Sequence, residues 1–396
     1  MDYPQSISIY IHIPFCRSRC TYCDFNTYAG MEAYLADYTQ ALKKELHLAR
    51  PLLKTGEFIH TIYFGGGTPT ILQPETFAEI LASIREEYPL TEAVEITTEA
   101  NPLLLTEGGL RTLRQAGVER LSMGMQSGIP AELKLLGRRH SMADVIQSMT
   151  YARQAGFENI NLDLIFGVPG QSLKSLRESL EKALALQPEH LSIYSLTVEE
   201  GTPLARMLAA GQVELPNPDM VADIYEWLMD YLPGQGFGQY EISNWAKGED
   251  FQSRHNLQYW HNHPYLGFGA GAHSYFRHYR WANVMVIPDY IGRLQAAQEW
   301  NEAAPLASED ATLLTEWDEI QECMMMGLRL TEEGISAADF RGRFGRGMEE
   351  IYPKEITFLL DNGLLEWVGK DAEKRLRLTR RGRMLGNQVF MQFIEG

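Results

Sequence analysis

Three cysteines, Cys16, Cys20 and Cys23, stand within eight residues at the spacing C-x3-C-x2-C. Soft thiolates at this density usually converge on a metal centre. Their number is informative. A closed structural zinc site takes four protein ligands, and an ordinary iron–sulfur cluster takes four cysteines. The only other cysteine, Cys323, lies about three hundred residues away. A cubane held by these three thiolates would leave one iron free to bind a small molecule. A zinc site completed by His12 is the alternative, at an unusual spacing for zinc. Four cysteines in 396 residues do not make a disulfide scaffold. Arg17, Ser18 and Arg19 between the thiols read as an exposed loop rather than a buried, inert cluster.

Further candidates follow along the chain. Gly65, Gly66 and Gly67 precede Thr68-Pro69, and glycines let backbone approach a ligand closely. Glu99, before Asn101-Pro102, can accept hydrogen bonds from hydroxyl or ammonium groups. Arg138 can pair with a carboxylate in bidentate fashion, as can Arg139 beside it. Asp163 interrupts an apolar run, Leu162 to Phe166, where a carboxylate costs free energy unless paired. It is therefore either a site group or a structural hydrogen-bond anchor. Gln126 and Thr197 complete the set.

The elements that must position these residues alternate. Runs at 7–13, 58–64, 94–99, 120–125, 159–166 and 190–196 read as strands, and helical patterns separate them at 32–50, from Pro74, at 110–115, on both sides of Gly137 and at 173–186. Six β-then-α units predict an α/β fold, a parallel sheet with crossover helices forming a partial (β/α)6 barrel. A doubly wound sheet is the alternative. In barrels the chemistry sits at the C-terminal ends of strands. The cysteine loop, the triple glycine, Glu99, Gln126, Asp163 and Thr197 all fall there.

The net charge of −17, from 35 basic and 52 acidic residues, opposes general nucleic-acid binding. No apolar run approaches a membrane span, and no signal peptide is visible. Unpaired cysteines without an export signal lead us to expect a reducing cytoplasm.

Taken together, Tyr10-Ile-His12-Ile-Pro-Phe-Cys16, Gly-Gly-Gly-Thr-Pro-Thr at 65–70, Glu-Ala-Asn-Pro at 99–102 and Asp163-Leu-Ile-Phe-Gly-Val-Pro-Gly170 resemble the radical S-adenosylmethionine (SAM) enzymes. Within them they resemble the oxygen-independent coproporphyrinogen III oxidase family. The likeness is close over roughly residues 6–200. It implies a 4Fe–4S cluster on Cys16, Cys20 and Cys23, exchangeable with SAM at the open iron. It also implies a SAM site formed by Tyr10, Tyr22, Gly66, Gly67, Thr68, Glu99, Gln126, Arg138, Asp163 and Thr197. Two departures separate the chain from the oxidases. Phe25 stands where they carry a further cysteine, and only 15 residues precede Cys16. Both match a haem-chaperone branch of the family. That branch implies haem as cargo, apo-haemoproteins as recipients and compatibility with an electron donor such as a flavodoxin or ferredoxin.

His255-Asn256-Leu257-Gln258-Tyr259-Trp260 resembles the HNxxYW motif of that branch, and the resemblance implies haem binding by His255, Asn256, Tyr259 and Trp260. Imidazole is a haem ligand, yet the residues alone favour a structural turn, and it is the resemblance that points to haem. Five histidines (His255, His261, His263, His273, His278) crowd this region, and Gly267 to His273 reads as a glycine-rich turn facing the cavity. Beyond 305, helices at 311–330, 336–344 and 348–362, a hairpin at 364–368 and 375–378, and a last helix from Arg380 suggest a winged-helix-like module. Its basic run, Lys374 to Arg383, reads as a solvated wing or a surface for an acidic partner. The expected organisation is a barrel over 1–215, a connecting α+β segment over 216–304, and the C-terminal module over 305–396. The expected function is haem delivery. A coproporphyrinogen III oxidase and a zinc-stabilised interaction protein are the alternatives, and no catalytic residue is assigned.

Overall fold

A computed structural model describes residues 5–300 and 305–394. The strands β1 (Ser6–Ile13), β2 (Phe58–Gly66), β3 (Leu90–Ala100), β4 (Arg120–Gln126), β5 (Asn159–Phe166) and β6 (His190–Ser195) lie side by side in chain order. All neighbours among them are parallel. A doubly wound sheet reverses its strand order at a switch point; this sequential order does not, so the barrel reading holds. Strands covered on both faces must be apolar almost throughout. Strand β4 is buried at every position but its last.

The crossovers are the helices α1 (Leu35–Ala49), α2 (Pro74–Glu87), α3 (Glu107–Gln115), α4 (Met142–Gln154) and α5 (Leu173–Ala185), with a short helical turn at Pro130–Leu135. Helix α1 buries Tyr38, Ala41, Leu42, Leu46 and Ala49, the three-and-four spacing of one helical face. Each large side chain of that kind contributes ~1.5–3 kcal/mol on burial. Helix α4 starts at a capping box in which Ser141 and Asp144 satisfy each other's backbone N–H groups.

The sheet extends past both edges of the expected six strands. After helix α6 (Pro218–Tyr231), strands β7 (Gly238–Glu241) and β8 (Asn244–Ala246) pair antiparallel beyond β6. Helix α7 (Arg254–Trp260) then leads to β9 (Tyr265–Phe268), which pairs parallel with β1 on the other edge. Strands β10 (His273–Phe276), β11 (Tyr279–Asn283) and β12 (Ser308–Leu313) continue outward, antiparallel. Helix α8 (Ile287–Ala296) lies between the last two.

Four expectations are corrected here. Residues 311–313 are strand, not helix, because they pair with β11; helix α9 (Glu316–Gly327) begins only after a Thr315–Asp318 capping box. Residues 305–313, expected with the C-terminal module, include the last strand of the large sheet. The helix expected over 348–362 breaks at Tyr352, because Pro353 cannot donate to the ladder. The glycine-rich turn does not face the cavity. Its amides are taken internally: Gly269 N–H by Glu45 (2.9 Å), Ala270 N–H by the Tyr38 hydroxyl (2.9 Å) and Gly271 N–H by the Val284 carbonyl (3.0 Å). Glu45 sits on the buried face of α1 and also accepts from Tyr290 (2.6 Å) and Asn283 (2.7 Å). Burial pushes its carboxyl up to about 7.

The C-terminal unit has its own core around Ile320, Met324, Phe340, Phe344, Leu376 and Phe390. Helices α10 (Ala337–Phe344) and α11 (Pro353–Asp361) pack with a small sheet of β13 (Ile335–Ser336), β14 (Leu365–Val368) and β15 (Arg375–Leu378), with β15 in the middle. The basic run is paired within the chain: Lys374 with Glu349 (3.0 Å), Arg375 with Glu333 (2.9 Å), Arg377 with Glu366 (2.9 Å) and Arg380 with Asp230. Among the described residues no helix is long and apolar enough to cross a membrane.

Candidate active site at the strand ends

The cysteine loop leaves β1 through Pro14 and is closed by a two-residue parallel pairing of Phe15–Cys16 with Tyr28–Ala29. His12 locks it from behind. Its Nε2 donates to the Asn26 carbonyl (2.9 Å), and its Nδ1 accepts from the Tyr10 hydroxyl (2.9 Å). Asn26 in turn donates to the carbonyls of Ala270 and Met285, both at 3.0 Å. Burial lowers the His12 pKa, keeping the ring neutral. With both nitrogens engaged, His12 is no fourth zinc ligand, which removes the support for the zinc alternative. On the other side, Thr21 is held by the carbonyls of Leu136 (3.1 Å) and Leu135 (2.7 Å).

Cys16, Cys20 and Cys23 are free and half-buried, and all three line one cavity of about 400 Å³ over the C-terminal ends of the strands. Among the described residues no three Cys, His, Asp or Glu side chains converge to hold a single metal ion. Burial pushes the Cys16 thiol up to about 11, against a contact with Thr68 (3.6 Å), and raises Cys23 as well. Thiols must lose their protons to bind metal, so loading this loop releases protons. Arg138 approaches Cys20 Sγ at 3.5 Å while donating to the Gly124 carbonyl at 2.8 Å.

The glycine positions are enforced by crowding. Gly66 has φ +108°, and a Cβ there would lie 2.5 Å from the His12 ring. A Cβ on Gly67 would meet the Phe15 carbonyl at 2.6 Å. The Gly67 and Thr68 amides bond back to the Ile13 and Phe15 carbonyls, both at 2.9 Å, so this segment clamps the cysteine loop.

Two carboxylates face the same cavity. Glu99 accepts from the Tyr63 hydroxyl (3.0 Å) and the Gly66 amide (3.2 Å); burial, then the nearby Asp163, push its carboxyl up to about 8. Asp163 accepts from Asn161 (2.7 Å) and Ser122 (3.3 Å), and burial pushes it up to about 6. Two buried carboxylates in one polar cavity are relieved by a cationic ligand. Arg138 offers a carboxylate partner in the same space. Gln126 lines the cavity at a bulge with φ +62°, a strained backbone of the kind concentrated at functional sites.

Of the positions expected around SAM, Tyr22, Gly66, Gly67, Thr68, Glu99, Gln126, Arg138, Asp163 and Thr197 line this cavity. Tyr10 stands behind the wall, supporting His12 and stacked at 6.2 Å on Tyr63. The sequence reading missed Arg120, Ser122, Asn161, Ser192 and Tyr194, which also line it. The signal was there: on β4, β5 and β6 these polar residues recur at every second position, so they share the inner face.

The four HNxxYW residues do not form one site. Asn256 lines the cavity. His255 is 1% exposed, with Nδ1 on Thr61 (2.8 Å) and Nε2 on Tyr259 (3.0 Å), and it stacks on Tyr63 at 4.9 Å. Trp260 faces away, under the Arg329 guanidinium.

Comparison with known proteins agrees with this geometry. Residues 10–183 match the radical SAM superfamily, and residues 314–385 match the HemN C-terminal domain. The heme chaperone HemW of Bacillus subtilis is 40% identical over 98% of this chain and 99% of its own length. The chain belongs to the HemW family. The heme chaperone HemW of Lactococcus lactis is 34% identical over 98% of this chain and 97% of its own length. The mitochondrial radical S-adenosyl methionine domain-containing protein 1 of Danio rerio is 36% identical over 91% of this chain and 84% of its own length. A solved structure of coproporphyrinogen III oxidase (HemN) from Escherichia coli aligns with a TM-score of 0.82 at 24% identity, over 98% of this chain and 89% of that one. It shares the fold. Phe25, two residues after the last of the three cysteines, is 64% exposed and lines the cavity.

Proposed function

We propose that this chain is a radical SAM-type haem chaperone, which binds haem and passes it to apo-haemoproteins in the cytoplasm. The observation that carries the reading is the 40% identity, over 98% of the chain, to a relative named as a heme chaperone. The cavity supports the cofactor half of it. Cys16, Cys20 and Cys23 would hold a 4Fe–4S cluster. Such a cluster supplies an iron open to the amino and carboxylate groups of SAM, and a one-electron donor.

The remaining work falls to the chain's own residues. Arg138 lies beside Cys20, where it offsets thiolate charge and offers the SAM carboxylate a charge-assisted partner. Glu99 and Asp163 supply negative charge for a cationic ligand. Tyr22 and Ile165 give the cavity apolar wall, and the loop clamp at Gly66–Thr68 keeps the three thiols in place.

The test is an absorbance titration of haem into anaerobically reconstituted protein with its cluster intact, run beside an incubation with coproporphyrinogen III, SAM and a reductant. Saturable haem binding without protoporphyrinogen formation is expected. No saturable binding overturns the chaperone reading, and protoporphyrinogen formation replaces it with the oxidase.

A further inference from the structure

The deep end of the cysteine-lined cavity holds a charge that the cluster and SAM leave unused. Arg120 opens β4 and is 2% exposed, yet it lines the cavity. Its Nε is buried without an acceptor, and its guanidinium makes no hydrogen bond or ion pair among the described residues. A guanidinium stays charged throughout the physiological pH range, and a buried charge costs free energy unless it is paired. Asp163 feels this charge but hydrogen-bonds to Asn161 (2.7 Å) and Ser122 (3.3 Å) instead, and the two form no ion pair. Glu99, the other buried acid of the cavity, is engaged by the Tyr63 hydroxyl and the Gly66 amide.

Helix α7 closes the barrel at this end. Its first amides, those of Arg254 and His255, donate to Glu95 on β3 (3.2 and 3.1 Å), and the His255 ring is held by Thr61 on β2 (2.8 Å). Thr61 and Glu95 are opposite each other in the sheet, and Arg120 lies opposite Thr97, two residues further along β3. Asn256 on the same helix also lines the cavity. Its backbone amide is capped by Ser253 (3.3 Å), and its side-chain amide makes no hydrogen bond among the described residues. Arg138 stands at the other end, beside Cys20. A ligand chelated at the cluster therefore meets Arg138 with its carboxylate, and Arg120 is left for a second anion. Asp163 in the same space opposes a doubly charged phosphate and admits a singly charged carboxylate.

We propose that Arg120, with the Asn256 amide as a further donor, forms a carboxylate-binding site at the floor of the cavity, for a ligand other than SAM. On the haem-chaperone reading this carboxylate is a propionate arm of haem, and a small free carboxylate offers the same chemistry.

The test compares the cluster-loaded wild type with Arg120→Gln and Arg120→Lys, once iron content, sulfide content and Tm show each to be loaded and folded. Haem and iron protoporphyrin dimethyl ester are titrated by absorbance, and SAM by calorimetry. Sodium propionate is titrated by Tm, against sodium chloride at equal ionic strength. If the source is haem, the wild type binds it about tenfold more tightly than the ester, the scale of a hydrogen bond to a charged group. Arg120→Gln then loses that preference and Arg120→Lys keeps part of it. If the source is a small carboxylate, propionate raises the wild-type Tm beyond chloride and does not do so in Arg120→Gln. Either result, with SAM affinity unchanged, supports the site. A wild type indifferent both to esterification and to propionate overturns it, with no variant needed. A fall in SAM affinity alone in Arg120→Gln assigns the residue to SAM and overturns it too. A wild type that binds no haem ends the chaperone reading, and the propionate titration then decides the site by itself.

Discussion

Replacing Glu99 by glutamine separates the charge of the cavity from its shape. The Glu99 carboxyl has its pKa pushed up to about 8 by burial and by Asp163, from an ordinary value of 4.5. In the empty site it is therefore mostly protonated at pH 7, with about a tenth ionised. A cationic ligand that needs the carboxylate sees an apparent Kd raised by the reciprocal of that fraction. The affinity contributed by Glu99 should fall about tenfold for each pH unit below 8. Glutamine keeps the contacts to Tyr63 and Gly66 and removes the titration. The ratio of wild-type to Glu99→Gln affinity for SAM, the proposed occupant, cancels the ligand's own ionisation. Measured by calorimetry on cluster-loaded protein between pH 6 and 8, that ratio should climb roughly tenfold per unit and level off above 8. A flat ratio refutes the electrostatic reasoning. Stability moves the other way. A raised carboxylate pKa gives stability that is complete below 4.5 and is lost as pH rises through 8. Each unit of the rise corresponds to about 1.4 kcal/mol. Glu99→Gln should therefore stabilise the ligand-free chain by up to a few kcal/mol at pH 8 and by nothing at pH 4.

Other outcomes are equally specific. Alanine at Cys16, Cys20 or Cys23 should each abolish stable iron and sulfide incorporation by metal analysis, whereas Cys323→Ala should leave both unchanged. His12→Ala strands the Tyr10 hydroxyl and the Asn26 carbonyl behind the cysteine loop, at a cost of about 1–3 kcal/mol for each unsatisfied buried group. A lower Tm and faster cluster loss on dilution are expected, and an unchanged Tm would contradict the locking role. The buried carboxyls of Glu45 and Glu241 are both pushed up to about 7 by burial. Their folded pKa values exceed the unfolded ones, so stability is lost as pH rises from below 4.5 through 7. Thermal melts should show a falling Tm from pH 5 to 8.5, and Glu45→Gln should flatten that slope.

Much of this was legible because strand register and ligand chemistry leave local signatures. β-branched runs ending in glycine or polar residues placed the six strands that run in chain order, and sequential β-then-α order predicted the barrel. Cys16, Cys20 and Cys23 were readable because their spacing is local. What was lost depends on distant pairing. Strand Tyr265–Phe268 hides beside a glycine-rich turn, and only its parallel partner β1 makes it a strand. Ala311–Leu313 looks helical until β11 is there to pair with it. The roles of Tyr10 and His12 as supports follow from contacts to Asn26, which no local pattern reveals. The HNxxYW residues were read as a unit because they are contiguous. On a single helix, successive residues face different directions, so Asn256 lines the cavity and Trp260 lies under Arg329, while His255 is buried between Thr61 and Tyr259.

Delivery of haem is the most direct test of the chaperone reading. The anaerobically reconstituted chain, loaded with one known amount of haem, is mixed with an apo-haemoprotein, and transfer is followed through the acceptor's own absorbance and activity. Transfer faster than from free haem at the same concentration is expected. Haem that stays on the chain, or reaches the acceptor no faster than free haem does, contradicts the reading.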